Sequence, residues 1–182
     1  MFRELIIAAL TAMAVAPAAA QTQDPENTLY MDLTSGRVVI RLRPDLAPEH
    51  VKRLKQLARE GFYNGVVFHR VIEGFMAQTG DPTGTGTGGS KYPDLKAEFS
   101  KESFKRGTVG MARSSNPNSA NSQFFICFAD APWLNNQYTV VGEVVQGMEN
   151  VDKIKRGQGQ GGTVPAPQDK ILKMQVAADA KG

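Results

Sequence analysis

Residues Phe68 to Asp81 read FHRVIEGFMAQTGD. Two β-rich runs, VVFHRVI and GFMAQTG, meet here at Glu73-Gly74. Side chains alternate along a strand, so if His69 faces inward then Arg70 faces outward, and Met76 and Gln78 share one face. His69 is expected to be a core histidine bonded to backbone. Arg70 is a lone cation among Val, Ile, Phe and Met. It either lies along apolar surface as an amphipathic side chain or stands as a fixed guanidinium beside an apolar pocket.

Working outward, Gly110 to Leu134 reads GMARSSNPNSANSQFFICFADAPWL. Gln123 and Phe125 lie two apart and share a face, while Phe124, Ile126 and Phe128 take the other and are expected in the core. Cys127 falls on the Gln123/Phe125 side. With no base near it in sequence, it reads as an unreactive, partly buried thiol. TVGMARS, YTVVGEVV and KILKMQV are further strand candidates. Thr28 to Leu33 and Gly36 to Leu42 read as a hairpin turning at Ser35-Gly36. Pro48 to Glu60 places Val51, Leu54, Leu57 and Ala58 at helical spacing, with Pro48 in the first turn and Gly61 as the stop. Its basic face, Lys52, Arg53, Lys55 and Arg59, is expected to be solvated. Gly147 to Lys155 reads as a second short helix.

Strands outnumber helices and do not alternate with them. The expected fold class is therefore mainly β: an antiparallel sheet closed on itself, with a few helices packed outside. Two Gly-rich stretches interrupt the pattern. Gly80 to Lys91 lacks the G-K-[ST] ending of a phosphate loop and reads as a surface loop. Gly157 to Lys170 reads as a flexible connector.

Composition narrows the function. The hydrophobic share of 41% is that of a globular chain, and a net charge of +3 without a Lys/Arg-rich run argues against a nucleic-acid partner. One Cys allows no internal disulfide, and one Cys with two His makes a common zinc site improbable. No G-x-S-x-G is present, and nothing around His50 or His69 suggests a hydrolytic triad. At the N-terminus, Arg3, an apolar run from Leu5 to Val15, Pro17 and Ala18-Ala19-Ala20 form the pattern of a cleavable signal peptide over residues 1–20. The run is too short to span a bilayer, and no Cys follows it to carry a lipid. A flexible lead-in over 21–27, a single domain over 28–177 and a tail over 178–182 complete the expected organisation. The mature protein is expected in the periplasm or secreted, without a membrane partner.

Taken in order, FHRVI-x-GFM-x-Q-x-GD, the Gly-rich loop, M-A-R, N-S-Q-F-F-I and W-L resemble the cyclophilin family of peptidyl-prolyl cis-trans isomerases, from about Thr28 to Val176. The resemblance is to its compact bacterial branch, and it implies the family fold, an eight-stranded closed antiparallel β-barrel capped by two α-helices, which agrees with the run count above. It implies an isomerase of X-Pro bonds that assists the folding of exported proteins, acts on proline-containing polypeptides as a monomer, and uses no cofactor and no metal. By resemblance Arg70 takes the place of the catalytic arginine. Phe75, Met76, Phe125 and Leu134 match the proline pocket. Gln78 and Gln123 match polar positions around the substrate backbone, and Ala112 and Arg113 match the strand that pairs with the bound peptide. Trp133 matches the pocket rim, which implies binding of cyclosporin A, and Tyr138 stands where eukaryotic members commonly carry His. Arg113 stands where the family usually has Asn. The loop from Ser114 to Ser122 is about one residue longer than in common eukaryotic members.

Overall fold

The structure, a computed structural model, describes residues 24–181. The signal-peptide expectation for 1–20 lies outside the described residues. Part of the lead-in is built into the fold: Pro25–Asn27 forms a 3-10 turn whose Asp24 side chain accepts from the Glu26 N–H at 3.2 Å. Glu26 pairs with Lys55 and Arg59, and Arg59 also pairs with Asp179, so both ends of the described chain are tied to one helix.

Eight strands form one antiparallel sheet. They are β1 (Thr28–Leu33), β2 (Gly36–Leu42), β3 (Arg70–Ile72), β4 (Met76–Thr79), β5 (Thr108–Met111), β6 (Phe124–Cys127), β7 (Val140–Gln146) and β8 (Lys173–Val176), in the spatial order β3-β4-β6-β5-β7-β2-β1-β8. The order makes β3 and β8 the two edges, and they do not pair. The expected closed barrel is thus corrected to a curled, open half-barrel. Its cause lies at the outer edge of β3. There the Val71 N–H donates to the Gly162 carbonyl, and its own carbonyl accepts from Gly157, both at 2.8 Å. The segment expected to be a flexible connector instead occupies the edge that closure would need. Only the flanking residues of the two edges meet, as in Phe68 N–H to Asp169 O at 2.8 Å.

Period-2 alternation divides the apolar side chains between two faces. Ala77, Phe124 and Ile126 join Phe68, Val109 and the inward residues of β1 and β2 in the larger cluster, while Met76, Phe125 and Cys127 join Phe104, Ala131 and Leu134 in a smaller one outside the sheet. Helix α1 (Pro48–Arg59) buries Val51, Leu54, Leu57 and Ala58 against the larger cluster, as its spacing required. Its start is capped from afar. Ala47 offers no side-chain cap, and the Glu98 carboxylate accepts from the backbone N–H groups of Glu49 and His50, each at 3.1 Å. Glu98 also bonds the Nδ1 of buried His50, whose pKa burial nonetheless lowers. The expectation of a uniformly solvated basic face fails at Arg53. It is 7% exposed, donates to the carbonyls of Pro93 and Asn121, and lies over the Tyr92 ring. The second helix, α2 (Met148–Val151), is shorter than expected and starts at Gly147 in the left-handed region (φ 85°), a conformation natural to glycine.

Candidate functional site

Strand register builds the site. Arg70 faces Gln78 across β3 and β4, Gln78 faces Phe125 across β4 and β6, and Phe125 faces Gly110 across β6 and β5. One row of side chains therefore crosses four strands on the outer face. It carries a cation, an amide, an aromatic ring and, at its end, no side chain. That last gap is needed: the ring of Phe125 stacks on Phe104 at 5.8 Å between centroids, over the space beside Gly110.

The row opens into a cavity of about 300 Å³ lined by Arg70, Phe75, Met76, Gln78, Ala112, Arg113, Phe125, Trp133, Leu134 and Tyr138. Every residue expected at the site lines it except Gln123. Its floor is apolar and buried, with Met76, Phe125 and Leu134 at 1%, 5% and 6% exposure. Its rim is Trp133, which is 61% exposed and stands 5.4 Å from Phe75 between ring centroids. Tyr138 meets Phe125 edge-on at 5.9 Å.

The polar wall is fixed by a directed chain of hydrogen bonds. Arg70 Nε donates to the Gly161 carbonyl at 3.0 Å, and Nη1 donates to Gln78 Oε1 at 3.2 Å. Because an arginine can only donate, Gln78 must present its oxygen to it. Gln78 Nε2 then donates to Gln123 Oε1 at 2.9 Å, and Gln123 Nε2 to the carbonyls of Gly86 and Gly88 at 3.1 and 2.9 Å. Arg70 forms no ion pair among the described residues, so its charge is held by neutral acceptors. Nη2 makes no bond among them and is free to donate into the cavity. Gln123 lies one step behind Gln78 and lines a neighbouring cavity of about 390 Å³ with Thr87, Gly88, Asp94, Arg113 and Asn121. Ala112 donates its N–H to the Gln123 carbonyl at 3.0 Å, whereas the backbone N–H and C=O of Arg113 make no bond among the described residues.

The Gly-rich loop from Gly80 is a wall of this second cavity, and Asp81 organises it. Its carboxylate, 1% exposed, accepts from the backbone N–H groups of Thr83, Gly86 and Gly88 and from the Thr83 hydroxyl. Burial alone would raise its pKa, but these donors outweigh burial and hold it at about 2. His69 is buried as expected, with its pKa lowered by burial. The expected backbone bond is absent: neither ring nitrogen has a partner among the described residues. Cys127 is buried, and burial, aided by Asp130, pushes its thiol up to about 12. That is no nucleophile at neutral pH.

Sequence reading passed over Gly110, Phe104 and the Gly161 carbonyl. A glycine inside a strand run was the available signal for the first, since it marks a close approach. Phe104 and Gly161 sit in irregular segments with no periodicity to read.

The chain is similar to known proteins over most of its length. The family profile described as cyclophilin type peptidyl-prolyl cis-trans isomerase/CLD matches residues 28–176. A protein of Brucella suis named probable peptidyl-prolyl cis-trans isomerase is 59% identical, over 97% of this chain and 96% of its own. Among solved structures, the cyclophilin AquaCyp293 of Hirschia baltica is similar at a TM-score of 0.76 and 25% identity, covering 87% of this chain and 76% of its own. A cyclophilin-type isomerase of Cryptosporidium parvum, solved in the presence of the dipeptide Ala-Pro, reaches a TM-score of 0.76 at 28% identity. It covers 82% of this chain and 98% of its own.

Proposed function

This chain belongs to the cyclophilin-type peptidyl-prolyl cis-trans isomerases, and from that premise we propose that Arg70 is its catalytic group and that its substrates are exported polypeptides. The observation that carries the reading is the row from Arg70 to Phe125, which sets a guanidinium with no ion pair among the described residues beside the apolar floor of a cavity of about 300 Å³.

An X-Pro bond turns over in tens to hundreds of seconds because its partial double-bond character must be broken. In the twisted state the prolyl nitrogen becomes pyramidal and regains a lone pair. A guanidinium N–H aimed at that nitrogen stabilises the twisted state more than either planar isomer, which is differential binding of the transition state. Arg70 Nη2 is the uncommitted donor. Phe75, Met76, Phe125 and Leu134 hold the prolyl ring. Gln78, fixed between Arg70 and Gln123, and the backbone of Ala112 and Arg113 hold the chain on the other side of the bond. Raising an uncatalysed rate of ~10⁻² s⁻¹ to a common turnover of ~10–10³ s⁻¹ requires roughly 4–7 kcal/mol. One charge-assisted hydrogen bond supplies about 1.5–3 kcal/mol. Positioning of the two halves of the peptide and exclusion of water supply the rest. A proline-containing peptide as ligand is supported by the Ala-Pro dipeptide used with the Cryptosporidium relative.

Export is supported by the apolar run and Ala18-Ala19-Ala20. The overlap of 97% with the Brucella protein is wider than the 28–176 family match and reaches into that leader. Two measurements test the reading. Exchange NMR on an Ala-Pro peptide should show accelerated interconversion at catalytic enzyme concentration. N-terminal sequencing of the exported monomer should begin at or near Gln21. A chain that retains the apolar run and stays with membranes would overturn the periplasmic or secreted assignment. Cyclosporin A should occupy the same groove beside Trp133, the sole Trp of the chain, and change its fluorescence. A flat titration with uninhibited turnover would contradict this.

A further inference from the structure

Arg113 stands where the two cavities meet and lines both. Its guanidinium has no carboxylate partner among the described residues. Nε and Nη2 donate to the Gln137 carbonyl at 3.1 and 2.7 Å, and Nη1 donates to the Ser114 carbonyl at 2.9 Å. The group rests 4.4 Å from the Tyr138 ring centroid. These neutral partners fix its position without cancelling its charge. Arg70, on the same 300 Å³ cavity, is also held by neutral acceptors. Among the described residues no Asp or Glu lines that cavity, whereas Asp94 shares the larger one with Arg113 and accepts from Asn121 Nδ2 at 2.9 Å. The residue beside a bound proline therefore meets two cations and no anion, while residues reaching the larger cavity meet one charge of each sign.

We infer that Arg113 is a specificity-determining residue that makes the groove favour an acidic side chain immediately next to the proline. This rests on the assignment of the 300 Å³ cavity to the prolyl ring. The field is that of solvent-accessible charges, so the preference is modest and fades with salt.

The test uses the exported protein and the peptides Ala-Glu-Pro-Phe, Ala-Ala-Pro-Phe and Ala-Lys-Pro-Phe. kcat/KM is measured for each, and Kd is followed through Trp133 fluorescence. At about 20 mM salt the Glu peptide should exceed the Lys peptide roughly fivefold in kcat/KM and in affinity, and the ratio should approach one near 0.5 M salt. Arg113→Gln should reduce the ratio to about twofold or less, and Arg113→Lys should keep most of it. Ratios taken within one variant do not depend on how much of it is folded. Equal handling of the Glu and Lys peptides by the wild type at low salt, or an undiminished ratio in Arg113→Gln, overturns the inference. If no peptide is turned over but binding still favours Glu, the catalytic reading fails and the charge preference stands. If all three are turned over alike, only the charge preference fails.

Discussion

A carbon added at Gly110 would come within 2.6 Å of Phe104 Cε1 and of Phe125 Cζ. Both rings lie in the smaller apolar cluster at 1% and 5% exposure, so neither can retreat freely. Gly110→Ala should therefore cost about 1–3 kcal/mol of stability as overpacking and lower kcat/KM by displacing Phe125 from the cavity floor. Denaturant melts and the peptide assay on the same variant check this, and wild-type values in both would contradict it. At this scale the alternation of Phe124 and Ile126 against Phe125 and Cys127 was legible in the sequence, because a strand's faces follow from parity alone. The burial of Arg53 was not. Its place on the polar side of an amphipathic helix reads as exposed, and the carbonyls that receive it, on Pro93 and Asn121, come from segments 40 and 68 positions away.

The Gly80 loop depends on one carboxylate. The folded-state pKa of Asp81, about 2, lies below its ordinary value of 3.8. A depressed carboxylate contributes stability that is fully present above the ordinary value and is lost as pH falls through the folded one. Asp81 should thus contribute about 2 kcal/mol at neutral pH, lost between about pH 4 and pH 2. Asp81→Asn should remove that part of the acid dependence, since an amide does not titrate in this range, and should lower stability at neutral pH, since its nitrogen cannot accept from the N–H groups of Gly86 and Gly88. Acid titrations of stability for the two proteins with the same slope through this window would contradict the assignment. Helix α1 depends on a carboxylate from outside itself. Glu98→Ala should cost about 1–2 kcal/mol, or a fall in Tm of roughly 2–8 °C for a chain of this size, by freeing the N–H groups of Glu49 and His50. An unchanged melting curve would contradict a capping role. The extent of α1 was legible from Val51, Leu54, Leu57 and Ala58. Its cap was not, because Glu98 lies 49 positions from the N–H it satisfies.

For the molecule as a whole, the strand count and the residues of the groove were readable, and the closure of the sheet was not. Strand patterns set which face is buried but say nothing of which edges meet. Here a Gly-rich segment without periodicity takes the outer side of β3 and also supplies the Gly161 carbonyl that orients Arg70. Fold and site are thus joined at the open edge of the sheet. The half-barrel supplies a rigid row of side chains, and the second apolar cluster backs that row from outside the main core. On the proposed reading the guanidinium of Arg70 should add little to folding and much to turnover, because it lines the groove and belongs to neither apolar cluster. The direct test is to measure kcat/KM for an Ala-Pro peptide and Tm on the same sample of Arg70→Ala. The account predicts a loss of at least tenfold in kcat/KM, with a hundredfold corresponding to about 2.7 kcal/mol of transition-state stabilisation, at a nearly unchanged Tm. Wild-type turnover with a lowered Tm would show that Arg70 only packs along its strand, and would contradict the account.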